Sequence, residues 1–257
     1  MNTTPYMETL QLAGKIIMEN GGETYRAEET ICRMGEGLGL SEVESFAVPS
    51  GIFISYRGTD DVLVTGVKRV RRQGRNLTRV DETNRVSRMV SARKMDCNEA
   101  LKELRQIETM PGPFGRFWNI AAAFLCAVGF SVLFGGMWID MLIAGGAAAI
   151  VQAVSIMIEK MHMRWLATAI VGGFLTALLP HLAKLLLPAL QADVVIAGAV
   201  MPLVPGLAMT NAVQDAMRGD MVSGMSHGVQ ALLTACLIAG GALLSSGMIR
   251  LITGGGF

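Results

Sequence analysis

The stretch MPLVPGLAMTNAVQDAMRGDMVSG, residues 201–224, joins an apolar half to a polar one. Pro202 and Pro205 remove two backbone donors and leave carbonyls without their helical partners. Gly206 then permits an unusual local backbone. In lipid such a break is tolerated only where it faces protein or water, and the exposed ends of half-helices carry partial charge that can hold a solute. Thr210, Asn211, Asp215, Arg218 and Asp220 follow. In a continuous helix Asn211, Asp215 and Arg218, at i, i+4 and i+7, share one face. A carboxylate there can meet an ammonium group or carry a proton. A guanidinium three residues on can hold a substrate carboxylate or keep Asp215 ionised. The competing reading is a polar loop of turn and capping residues, with Arg218-Gly219-Asp220 as the turn; the spacing leaves both open.

Three further acids, Asp140, Glu159 and Asp193, fall at or near the level of apolar runs. Ionisable groups in that position are candidates for solute or proton handling. Asp140 and Asp193 also stand where helices should start, and the helix dipole accommodates an acid there. His162 and His181 fall in loops or at span ends and read as anchors. His227, after a turn expected at Gly224, can be anchor or shuttle. Cys32, Cys97, Cys126 and Cys236 are single and form no metal-ligand spacing. No HExxH, GxSxG or comparable motif is present, so no catalytic residue, metal or cofactor is expected.

The elements that must position these groups divide sharply. Mean hydropathy is +0.44 over 257 residues, too high for an ordinary soluble protein. Residues 1–110 hold 32 of the 43 charged side chains. The expected architecture is an α-helical integral membrane domain, 111–257, of about five transmembrane helices, preceded by a small α+β cytoplasmic domain, 1–110. The expected spans are Phe117–Gly136, Ile139–Ile158, Trp165–Leu186, Val194–Ala212 and His227–Ile249, each about 20 residues. Trp118, Trp138 and Trp165 fall at their ends, as an aromatic belt requires. Lys160, Arg164 and Arg218 lie in loops on one side, against Lys184 and Arg250 on the other. The positive-inside rule puts the N-terminal domain in the cytoplasm and Phe257 outside. The polar start of the chain has no signal-peptide core, and the end, GMIRLITGGGF, reads as a finish. Small residues such as Gly145 and Ala149 suit close helix packing or a sliding surface.

Before Pro111, ETLQLAGKIIMENGG and ETYRAEETICRMGEGLGL carry helical periodicity ended by glycine. SFAVPSGIFISYRG and DVLVTGVKRV read as a β-hairpin. GRNLTRVDETNRVSRMVSARK returns to helix, and Asp96 with Glu99 forms a capping box for the next one. The run Lys68, Arg69, Arg71, Arg72 and Arg75 is a solvated face or a contact for anionic headgroups. Nucleic acid is the last reading of that run, since neither the net charge of +1 nor any interleaved aromatic supports it.

Four stretches, GGETYRAEETICRMGEGLGL, VPSGIFISY, TGVKRVRRQGRNLTRVDETNRVSRMV and the residue 201–224 segment, resemble the threonine/serine exporter family, in the same order and over nearly the whole chain. The likeness is to its split form, in which such a chain is the larger subunit and a smaller membrane subunit supplies the rest. The resemblance implies proton-driven export of a small polar metabolite, a threonine/serine-like amino acid or a dicarboxylate such as succinate. It also implies a multi-pass protein of the bacterial cytoplasmic membrane; a homo-oligomer is compatible with it. The alternatives are a regulatory or assembly subunit whose partner forms the pathway and, less favoured, a membrane enzyme.

Overall fold

The computed structural model describes residues 4–58, 60–71, 74–158 and 164–253. Arg72, Glu159, Lys160, His162 and Phe257 lie outside the described residues, as do the side chains of Arg164 and Trp165. Two compact units emerge: residues 1–113 with 207–228, and residues 114–206 with 229–257.

In the first unit, α1 (Thr4–Glu19) buries Leu10, Ala13, Ile16 and Ile17, the apolar stripe of a 3.6-residue period. It ends where Gly21 takes a φ of +90°. α2 (Thr24–Gly37) buries Ala27, Ile31 and Met34 in the same way. Three antiparallel strands follow in sequence order, β1 (Ser41–Val48), β2 (Gly51–Arg57) and β3 (Leu63–Arg69). The expected two-stranded hairpin is therefore a three-stranded meander. Val48 pairs with Gly51, so Pro49 and Ser50 form a two-residue turn inside what reads as one strand. Proline cannot donate to a ladder, which is why the run breaks there. Ile52, Ile54 and Tyr56 of the central strand alternate into the core. α3 (Leu77–Ser91) starts at Asn76, whose side chain accepts from the Arg79 N–H. α4 (Cys97–Thr109) starts at the expected capping box of Asp96 and Glu99.

The apolar helices are α5 (Arg116–Leu133), α6 (Trp138–Ile158) and α7 (Arg164–Leu186), then α8 (Ala192–Val200). A 3-10 turn (Met201–Leu203), α9 (Gly206–Met217) and α10 (Met221–Thr253) complete the chain. Among the described residues, four helices are long and apolar enough to cross a membrane. A fifth span exists if the bent pair 192–203 and 206–217 counts as one. α10 has 33 residues; at about 1.5 Å per residue it is about 50 Å long, more than a hydrocarbon core of about 30 Å requires. It starts at Met221, not His227, so Gly224 is not a turn but lies inside the helix.

Within the second unit, glycine sets the contacts. A side chain on Gly173 would run into the carbonyl of Ile238, and one on Gly241 into that of Ile170. α7 and α10 therefore touch backbone to backbone, the small-residue packing of membrane bundles. Gly145 likewise seats the ring of Phe124.

Candidate functional site

The Pro202 and Pro205 break is visible locally. Met201–Leu203 tightens to a 3-10 turn, Val204 is extended (φ −58°, ψ 130°), and α9 begins at Gly206. Thr210 is exposed on α9, while Asn211 and Asp215, one turn apart, are buried. Arg218 does not continue that face. α9 stops at Met217, and Arg218, Gly219 (φ +89°) and Asp220 form the turn into α10. The Asp220 carboxylate accepts from the Ser223 N–H at 3.0 Å and caps α10. Both readings of the segment thus hold in part: a helical face for Asn211 and Asp215, a turn for Arg218 to Asp220.

Gly224 closes this helical hairpin. Its position for a side chain is 3.0 Å from the Ala212 carbonyl and the Ala216 nitrogen. Three residues on, the same face of α10 presents His227. Its Nδ1 lies 3.0 Å from Asp215 Oδ2. Thr24, the first residue of α2, donates its hydroxyl to the same Oδ2 at 3.4 Å. Asp215 is 1% exposed. Among the described residues its other oxygen, Oδ1, has no hydrogen-bond partner, and nor do the buried Gln214 Oε1 and Ser223 Oγ. Buried polar atoms left this way mark space for water, a proton or a polar ligand.

Arg218 is not the partner of Asp215. Its guanidinium lies over the Tyr25 ring, 3.5 Å from the centroid, a cation–π contact that fastens the turn to α2. One turn after Thr24, Glu28 accepts from the Ala47 N–H at 2.7 Å. Burial raises the Glu28 carboxyl above its ordinary range, the Ala47 bond opposes this, and the charges of Asp220 and Asp215 raise it further.

Two expected acids lie elsewhere. Asp140 is 1% exposed and doubly used: Oδ2 accepts from Met137 N–H at 2.8 Å and Oδ1 from Gln191 N–H at 2.9 Å. It ties the start of α6 to the start of α8. Asp193 is exposed in the first turn of α8. Among the described residues no group of three or more His, Cys, Asp or Glu side chains could hold a metal. Thr24, Tyr25 and Glu28 carry no signal of their own in the sequence; the only pointer to them is that they fall in the first of the family-like stretches.

Several helices long and apolar enough to cross a membrane mark a multi-pass membrane protein, and the family that the chain matches is one of transporters, not enzymes. Residues 8–248 match the family described as "Putative threonine/serine exporter", and the chain belongs to that family. It is 21% identical over 238 residues to a "Probable threonine/serine exporter" of Mycobacterium tuberculosis, covering 92% of this chain but 45% of the relative. It is 25% identical over 231 residues to the "Probable succinate transporter subunit YjjP" of Klebsiella aerogenes, covering 87% of this chain and 86% of the relative. The Escherichia coli protein of the same description is 24% identical over 234 residues, 88% of each chain. The chain thus spans less than half the length of the mycobacterial relative and most of the other two. No solved structure matches it.

Proposed function

We propose that this chain is one subunit of a proton-coupled secondary exporter for a small polar metabolite, a hydroxy amino acid or a short dicarboxylate, with Asp215 and His227 as the proton-carrying pair. The observation that carries the reading is the buried Asp215 carboxylate, held by Thr24 and His227 on one oxygen and left without a partner on the other. A proton shared between Oδ2 and Nδ1 has two resting places about a hydrogen bond apart. The His227 side chain keeps 13% of its surface exposed while Asp215 keeps 1%, so the imidazole is the member that exchanges with water. The substrate is met at the Pro202–Gly206 break, where freed carbonyls and helix ends offer partial charges of both signs.

The names of the relatives support the substrate classes: one is described as a threonine/serine exporter, two as succinate transporter subunits. A smaller membrane subunit completes the pathway. The word subunit in those descriptions supports this, as does the length of the mycobacterial relative, of which this chain covers 45%. Five crossings, the bent pair counted as one, put the two ends of the chain on opposite sides, and the bias of Lys160, Arg164 and Arg218 supports residues 1–110 in the cytoplasm and the C-terminus outside. The test is reconstitution of the chain with and without its partner in liposomes under an imposed pH gradient. Labelled threonine or succinate leaves unaltered only from liposomes holding both subunits. Equal transport by the chain alone contradicts the two-subunit reading, and transport indifferent to the gradient contradicts proton coupling.

A further inference from the structure

We propose that the cleft between α2 and α3 binds a small oxyanion of phosphate type, at a site separate from Asp215 and His227. The cleft has a volume of about 150 Å³ and is lined by Arg26, Glu29, Thr30 and Arg33 from α2 and Asn84, Ser87 and Arg88 from α3. The spacing builds it. Positions i, i+3, i+4 and i+7 of one helix face positions i, i+3 and i+4 of the other, so every polar group on the two facing stripes points into one concavity. The helices are fixed beside it: a side chain on Gly37 would meet the backbone of Val90 and Ser91, and Ser91 Oγ donates to the Arg33 carbonyl at 3.2 Å.

The charge in the cleft is unbalanced. Three guanidinium groups face one carboxylate among the lining residues. Glu29 pairs with Arg33, and Arg26 pairs at 3.4 Å with Glu23, which lies outside the lining. Arg88 has no carboxylate partner among the described residues. Once these pairs are counted, Arg88 is the one lining guanidinium left without a carboxylate among the described residues, and it is the charge that an entering oxyanion meets. Thr30 and Ser87 are 7% and 4% exposed and form the floor, with hydroxyls suited to oxyanion oxygens. The planar forks of arginine match two oxygens at once. At about 30 Å³ per water the volume equals about five waters, room for a phosphate group but not for a polymer. Glu29 is the built-in competitor, since an incoming anion must take Arg33 from it.

The experiment is calorimetric titration of the purified full chain in neutral detergent with inorganic phosphate, against chloride at matched ionic strength. Phosphate should bind saturably where chloride does not. Arg88→Gln should weaken it by about tenfold, the weight of one charge-assisted contact. Glu29→Gln should tighten it, because the competitor is gone, and Lys94→Gln, an exposed cation outside the cleft, should leave it unchanged. Arg88 is exposed, so its loss leaves the fold intact, which the melting temperature checks. A phosphate response no larger than that of chloride, or one unaltered in Arg88→Gln, overturns the proposal. So does binding seen only with vesicles of anionic lipid and not with soluble phosphate, which would make the cleft a headgroup contact.

Discussion

Asp215 stands out in the sequence because a carboxylate after an apolar, proline-broken run is costly and must have a use or a partner. Its partners do not stand out. Thr24 lies 191 positions away, and no periodicity links the two. Arg218 reads as the natural counter-charge because helical spacing puts it near Asp215, but the helix ends one residue too soon and the guanidinium goes to Tyr25 instead. Glu28 gives a test at this scale. Its carboxyl titrates higher in the folded chain than in the unfolded one, burial being the main cause. Folding therefore takes up a proton between the two values, and stability falls as pH rises through that window. Glu28→Gln, which keeps the acceptor for Ala47, should melt higher than the parent protein at about pH 8 and equally at about pH 3, where the acid is neutral in both states. Thermal melts across that range decide. A variant less stable at the higher pH would mean that the charged form is held by a partner.

At the scale of elements, the periodic helices, the capping box of Asp96 and the Pro202–Pro205 break were all legible, because each rests on local backbone chemistry. Two misreadings have one cause: a breaker taken at face value, or passed over. Gly224 reads as a turn but sits in the first turn of α10, where its missing side chain lets α10 close on α9. Pro49 reads as part of one strand but stands in a turn between two. Gly224→Leu should therefore act as a wedge. Overpacking of this kind costs about 1–3 kcal/mol, and it should separate His227 from Asp215. Gly224→Ala is the milder arm, since the added carbon sits 3.0–3.1 Å from its neighbours. Melting temperature and a histidine NMR titration check both effects. If Gly224→Leu melts like the parent with an unchanged His227 signal, the close hairpin is not present in the membrane. The same reasoning gives Gly173→Val as a strongly destabilising change, because the obstacle is the backbone of Ile238 and not a side chain that can rotate away.

For the whole molecule, composition alone separates a polar first part from an apolar remainder, and the membrane class follows from hydropathy. Neither composition nor spacing reveals that residues 207–228 pack with the N-terminal residues, since that is a tertiary contact. The proposed orientation is open to labelling. In a chain freed of its native cysteines, a cysteine at Asp61 should react with an impermeant maleimide only in inverted vesicles, and one at Thr253 only in right-side-out cells. The reverse pattern would turn the topology over.

The central claim, that Asp215 carries the coupling proton, is tested most directly by efflux per unit of folded two-subunit complex. Asp215→Asn keeps the size of the side chain and an acceptor for Thr24 but removes the charge and the proton site. One charge-assisted contact is worth roughly 1.5–3 kcal/mol, so efflux should fall about tenfold to a hundredfold. Membrane expression should be largely retained, and Glu42→Gln, on an exposed strand, should export normally. Efflux by Asp215→Asn equal to that of Glu42→Gln would leave the residue 201–224 segment as a hinge and a turn with no part in moving protons.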